Sequence, residues 1–251
     1  MLHEHRFINE NKFFDMCAHH EISSMFASYL RTLINYKIVI IADDSGSMNT
    51  LTNYKETRWS ELCRFIQIVF SITETMENYP LDIHFLNRGS IIGIQNLQDI
   101  TNAFISTPKG PTPIVPILKE ILGQPYYDFQ GRIIIIATDG EPTDENNAVN
   151  INQLKNVLDK DRSPSDYVTF LACTDDDDAI CYLNKWDKQM VHVDVIDDYY
   201  NEKREVLRAQ GKNFSFTYGD YVVKTMLGAV ISQLDKLDES SYVDDCVCVI
   251  L

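Results

Sequence analysis

Two short runs constrain this chain more than anything else in it. Ile38 to Ile41 and Ile133 to Ile136 are each an unbroken stretch of β-branched residues, and each is followed within two or three positions by a carboxylate, Asp43 and Asp139. A strand that is apolar on both faces belongs in a parallel sheet covered by helices on both sides, since an antiparallel sheet with one wet face would alternate. The loop that leaves the carboxyl end of such a strand is where open α/β sheets bind their ligands. An α/β fold with chemistry at one sheet edge is therefore expected.

The first loop reads Ala42-Asp43-Asp44-Ser45-Gly46-Ser47-Met48. Asp43, Ser45 and Ser47 fall at alternate positions and offer a carboxylate and two hydroxyls, all oxygen, which suits a hard divalent cation. Gly46, with no Cβ, is expected to let the backbone bend so that the serines converge. The competing reading is an ordinary strand-to-helix turn, for which Asp, Ser and Gly are common residues.

Two later segments bear on that choice. Gly110-Pro111-Thr112-Pro113 opens an apolar stretch ending at Leu122, with Thr112 suited to cap a helix and Pro113 to be its first residue. Four prolines, Pro108, Pro111, Pro113 and Pro116, stiffen the region. The second segment is the end of the Ile133 strand, Ala137-Thr138-Asp139-Gly140.

Taken together, Asp43-x-Ser45-x-Ser47, then Thr112, then Asp139 followed by Gly140, resemble the pattern of von Willebrand factor type A (vWA) domains that carry a metal-ion-dependent adhesion site. The resemblance covers Tyr36 to Leu237. It implies a three-layer Rossmann-like vWA fold, with a mostly parallel central sheet, one short antiparallel edge strand and helices on both faces. It also implies that Asp43, Ser45, Ser47, Thr112 and Asp139 hold Mg2+, with Mn2+ and Ca2+ as the alternatives. The two carboxylates would just neutralise the ion, and five protein groups would leave one octahedral position for a carboxylate of a partner protein.

The remaining chain divides around this unit. Residues 1–35 read as an N-terminal helical extension, because apolar positions from Phe13 to Ile34 recur at helical spacing. Helices are expected over Trp59 to Ile72, Leu97 to Ile105, Asn146 to Leu158, Ala179 to Trp186, Asn201 to Gln210 and, as one amphipathic element, Asp220 to Leu237. Further strands are expected at Leu81 to Leu86, Ser90 to Ile94, Tyr167 to Ala172 and Val191 to Ile196. Residues 238–251 read as a flexible tail.

Several features narrow the function. The net charge is −15, from 37 acidic against 22 basic residues, which argues against nucleic acid and against docking on anionic lipid through a basic patch. No run has the length of a signal peptide core or a spanning helix, so a cytosolic protein with reduced cysteines is expected, and Cys17, Cys63, Cys173 and Cys181 read as buried packing. The last four residues, Cys248-Val249-Ile250-Leu251, fit a prenylation signal that favours geranylgeranyl, and a second lipid on Cys246 would firm the attachment to the cytosolic face of a membrane; the other reading is a frayed apolar end. Asp175 to Asp178 read as an acidic first helical turn or as a second cation site, and His3, His5, His19 and His20 as solvated surface.

The function expected is a non-enzymatic, cation-dependent interaction module that binds an acidic residue of another protein. Two alternatives stand beside it. A magnesium-dependent phosphoester hydrolase would need a nucleophile or base near the metal, for which Asp44 is the candidate. A metal-free structural scaffold would need neither.

Overall fold

The computed structural model describes residues 6–126, 128–174 and 180–239. The run Asp175 to Asp178, His3, His5, Cys246 and Cys248 lie outside the described residues. Six strands, β1 Tyr36–Ala42, β2 Leu81–Phe85, β3 Ser90–Ile94, β4 Gly131–Thr138, β5 Asp166–Ala172 and β6 Val193–Ile196, form one sheet in the order β3-β2-β1-β4-β5-β6. All neighbouring pairs are parallel except β2 and β3, which are antiparallel. The fold is thus α/β, mostly parallel, with one antiparallel edge strand.

Strand geometry separates two cores. In β1 and β4, Ile38, Ile40, Ile133 and Ile135 face one side of the sheet, while Val39, Ile41, Ile134 and Ile136 face the other. That is the period of two of an extended chain, and every one of these eight side chains is buried. Against the first side pack α1 (Glu10–His19), α2 (Ser24–Leu30), α3 (Arg58–Thr73), α4 (Leu97–Ile105) and a late helix, here α9 (Tyr218–Leu227). Against the second pack α5 (Ile114–Leu122), α6 (Ile151–Lys160) and α7 (Leu183–Asp187). The chain leaves β1 through α3 on one face and leaves β4 through α6 on the other, so β1 and β4 flank the point where strand order reverses. A crevice at the carboxyl ends of such a strand pair is the natural ligand site of an open sheet.

The N-terminal helices share this first core. Phe13, Met16, Phe26, Leu30 and Leu33 are buried in it, and Asp220 ties the helices to α9. One Asp220 oxygen accepts the Thr217 N–H at 3.1 Å and completes a capping box, while the other accepts the Ser23 N–H at 2.8 Å. Gly219 is required by this close approach: a Cβ there would lie 2.1 Å from the His20 carbonyl oxygen.

Local chemistry moves several expected boundaries. The helix expected from Asn146 begins at Ile151, because the Asp144 carboxylate captures the N–H groups of Asn146 and Ala148 at 2.8 and 2.9 Å and folds that stretch into a turn. The single helix expected from Asp220 to Leu237 is two, α9 and α10 (Ser232–Asp235), parted where the backbone leaves the helical region at Ile231, with φ −118° and ψ 99°. An Asp194 carboxylate oxygen lies 1.8 Å from where a Gly228 Cβ would sit, so only glycine fits where the edge strand meets the end of α9. Helix α9 is buried from Gly219 to Leu227 rather than along one side, since α2 and the sheet enclose it. Between β6 and α9, α8 spans Tyr199–Gln210. Of the cysteines expected to pack inside, Cys17 is buried, Cys63 and Cys173 are half-buried, and Cys181 is exposed. Among the described residues no helix is long and apolar enough to cross a membrane.

Candidate metal centre

Strands β1 and β4 run side by side in register, with Ala42 opposite Ala137, and deliver their next residues to one corner. The Asp43 N–H donates to the Ala137 carbonyl at 2.9 Å, extending the ladder one residue past the strand. The Asp43 side chain is then fixed through both oxygens. Oδ1 accepts the Ser45 N–H at 2.8 Å and Oδ2 accepts the Thr138 hydroxyl at 2.7 Å.

From there a continuous line of oxygens crosses the site. Ser45 Oγ and Ser47 Oγ lie 2.9 Å apart, and the Ser47 hydroxyl donates to Asp139 Oδ1 at 2.7 Å. Four of the five expected ligands, Asp43, Ser45, Ser47 and Asp139, are therefore brought together, with Asp43 fully buried and Asp139 4 % exposed. Burial, and after it the charge of Asp139, pushes the Asp43 carboxyl up to about 6. Two carboxylates in one dry corner call for positive charge, part of which Arg58 supplies, and the all-oxygen set can take a hard cation beside it.

The fifth expected ligand, Thr112, makes no hydrogen bond to these four among the described residues, although its loop lies beside theirs. Its loop is tied to the first by the Gly46 N–H to the Gly110 carbonyl at 3.2 Å and by the Lys109 N–H to the Asp44 carbonyl at 2.8 Å. The Thr112 N–H and carbonyl are both bonded to Thr143, each at 2.9 Å. The competing reading has Thr112 capping the next helix, with Pro113 as its first residue. Instead Pro113 holds the cap position and α5 starts at Ile114 with no side-chain cap, so the Thr112 hydroxyl is not used there.

The expected role of Gly46 also changes. Its backbone stays outside the left-handed region, and the space where a Cβ would stand is open. The glycine this site needs is Gly110, whose φ is 111° and whose Cβ would lie 2.5 Å from Asn87 Oδ1.

Arg58, Thr138, Asn87 and Arg88 belong to the site and were not singled out from the sequence. Arg58, at the start of α3, donates to Asp139 Oδ2 and to Thr174 Oγ1, both at 2.8 Å. The charge balance expected for a bound divalent ion, two carboxylates and no more, therefore has to include a guanidinium. Arg88 and Asn87 hold Asp44: Arg88 Nε donates to Asp44 Oδ2 at 2.7 Å, while the Asn87 N–H and Nδ2 donate to Oδ1 at 2.8 and 3.0 Å. Only Thr138 carried a visible signal, as the hydroxyl just before Asp139 on a buried strand.

No protein family and no curated protein matches the chain by sequence. Among solved structures it is similar to the pilus adhesin SpaC from Lactobacillus rhamnosus GG, with a TM-score of 0.42 and 12 % identity over 81 % of this chain. It is also similar to proximal thread matrix protein 1 from the mussel byssus, with a TM-score of 0.39 and 16 % identity over 55 %. The chain spans 31 % and 38 % of those proteins' own lengths.

Proposed function

We propose that the chain is a vWA-type module that uses a divalent cation, Mg2+ in the first place, to bind an acidic side chain of a partner protein. The observation that carries this reading is the unbroken oxygen line Ser45, Ser47, Asp139 beside the buried Asp43, at the point where strand order reverses. Asp43, Asp139, Ser45 and Ser47 would hold the ion, with Thr112 supplying the remaining hydroxyl. The ion when bound supplies a point of positive charge that a partner's carboxylate can reach.

The surrounding residues shape that charge. Asp43 and Asp139 offset a divalent ion, and Arg58 beside Asp139 leaves the corner with a net positive charge on a chain of net charge −15. A local positive site on an otherwise acidic surface selects an anionic group that projects far enough to reach it, and rejects a broad acidic face. Asp44, the candidate nucleophile of the hydrolase reading, has both oxygens committed to Arg88 and Asn87 and is 1 % exposed. That favours binding over turnover.

The test is capture of a partner by the immobilised chain, with release by chelator and loss in Asp139→Ala. Capture that survives chelation in a folded protein would contradict the reading. Attachment to the cytosolic face of a membrane through Cys248, with Cys246 as the second lipid site, remains part of the proposal on sequence grounds. A shift of the chain from membrane to soluble fraction in Cys248→Ser supports it; an unchanged distribution removes it.

A further inference from the structure

Asp187 at the end of α7, Asp194 in the edge strand β6 and Asp235 at the end of α10 come from three separate elements, yet each offers an oxygen within 4.8 Å of the others. Oxygens bound to one calcium ion sit about 2.3–2.6 Å from it, so oxygens on opposite sides are separated by about 5 Å. The spacing fits a shared ion.

A second observation is independent of the spacing. Asp194 is 3 % exposed, and its Oδ2 has no hydrogen-bond partner among the described residues. A buried carboxylate oxygen with no donor is costly, and fold packing alone gives no reason to keep one. The nearest cation, Lys224, offsets its charge only in part. The Lys224 ammonium is taken by Glu202 at 2.6 Å and Asp238 at 3.0 Å, and no lysine or arginine forms an ion pair with Asp187, Asp194 or Asp235 among the described residues. Beside the cluster, an open cavity of about 350 Å³ is lined by Asp187, Asp235 and Glu239 together with Lys188 and His192, so two of the three carboxylates face room for water. Gly228, with no Cβ, gives Asp194 the space to reach this cluster.

We propose that Asp187, Asp194 and Asp235 form a second cation site, two strands away from the first, that takes calcium and clamps the segment after α9 to the edge of the sheet. Three carboxylates from elements with no fixed octahedral relation suit calcium, which accepts irregular shells and completes them with water, better than magnesium. The site is built from other residues than the first and does not depend on it.

Calcium titration by calorimetry of the full chain tests this, comparing wild type, Asp235→Asn and Asp43→Ala at neutral pH. Asp235→Asn is expected to bind one calcium fewer than wild type, whatever the first site does, and, added to Asp43→Ala, to abolish the calcium-induced rise in melting temperature that Asp43→Ala alone keeps. Asp187→Asn, on a half-buried side chain, is the second variant and is expected to behave as Asp235→Asn does. Equal stoichiometry in wild type and in both folded variants would overturn the proposal.

Discussion

The Ser47 hydroxyl donates to Asp139 Oδ1 at 2.7 Å across 92 residues of sequence, joining the loop after β1 to the loop after β4. Removing it tests what that link is for. Ser47→Ala takes one oxygen from the ion and leaves Asp43, Thr138 and the strand ladder in place. Magnesium affinity measured by calorimetry is expected to fall at least tenfold, about 1.4 kcal/mol. The melting temperature in chelator should change by no more than a degree or two.

Arg58 makes the opposite prediction. Its guanidinium pairs with Asp139 at 2.8 Å with little solvent access, so it both stabilises the metal-free corner and repels an incoming cation. Arg58→Gln is expected to lower the melting temperature in chelator and to raise magnesium affinity. Weaker magnesium binding in a folded Arg58→Gln would show that Arg58 supports the ion rather than opposing it.

Much of the fold is legible in the residues, and the reason is physical. Strands buried on both faces must be written in β-branched residues, so Ile38 to Ile41 and Ile133 to Ile136 announce themselves, and the residues that follow them must sit at the sheet edge. What could not be read are relations made in space. Arg58 looks like any first-turn arginine until α3 carries it to Asp139, and Asp44 looks available until Arg88 and Asn87 arrive from after β2. The need for Gly228 is of the same kind: glycine is tolerable within a helix by its sequence, and the close approach of Asp194 to it appears only once β6 lies alongside.

Docking of the N-terminal helices gives a third prediction. Gly219→Ala places a methyl 2.1 Å from the His20 carbonyl oxygen and 2.8 Å from Ile22. Backbone must move, and overpacking of this kind costs about 1–3 kcal/mol. Chemical denaturation should show that loss with magnesium binding retained; an unchanged midpoint would mean that residues 1–35 yield freely.

Acidity supplies a fourth. Burial pushes Asp194 up to about 8, only partly offset by Lys224, from an ordinary value of 3.8. A carboxyl whose folded value is raised binds its proton more tightly when folded, so its contribution is fully present below about pH 3.8 and is lost as pH rises towards 8. Asp43, Asp187, Glu61 and Glu202 are displaced in the same direction. In chelator, thermal stability is expected to fall between pH 5 and 8, and Asp194→Asn should flatten the upper part of that fall. A wild-type profile that rises across the interval would contradict the burial of these groups.

The measurement that reaches furthest is a crystal grown with manganese and recorded at a wavelength where the ion scatters anomalously. The account predicts a peak at the corner of β1 and β4, with the Ser45, Ser47 and Thr112 hydroxyl oxygens and an Asp139 oxygen at about 2.0–2.2 Å or bridged through one water, and at least one position filled by water or by a carboxylate from outside the chain. No peak there at saturating manganese, or an ion enclosed on every side by this chain's own atoms, would contradict it.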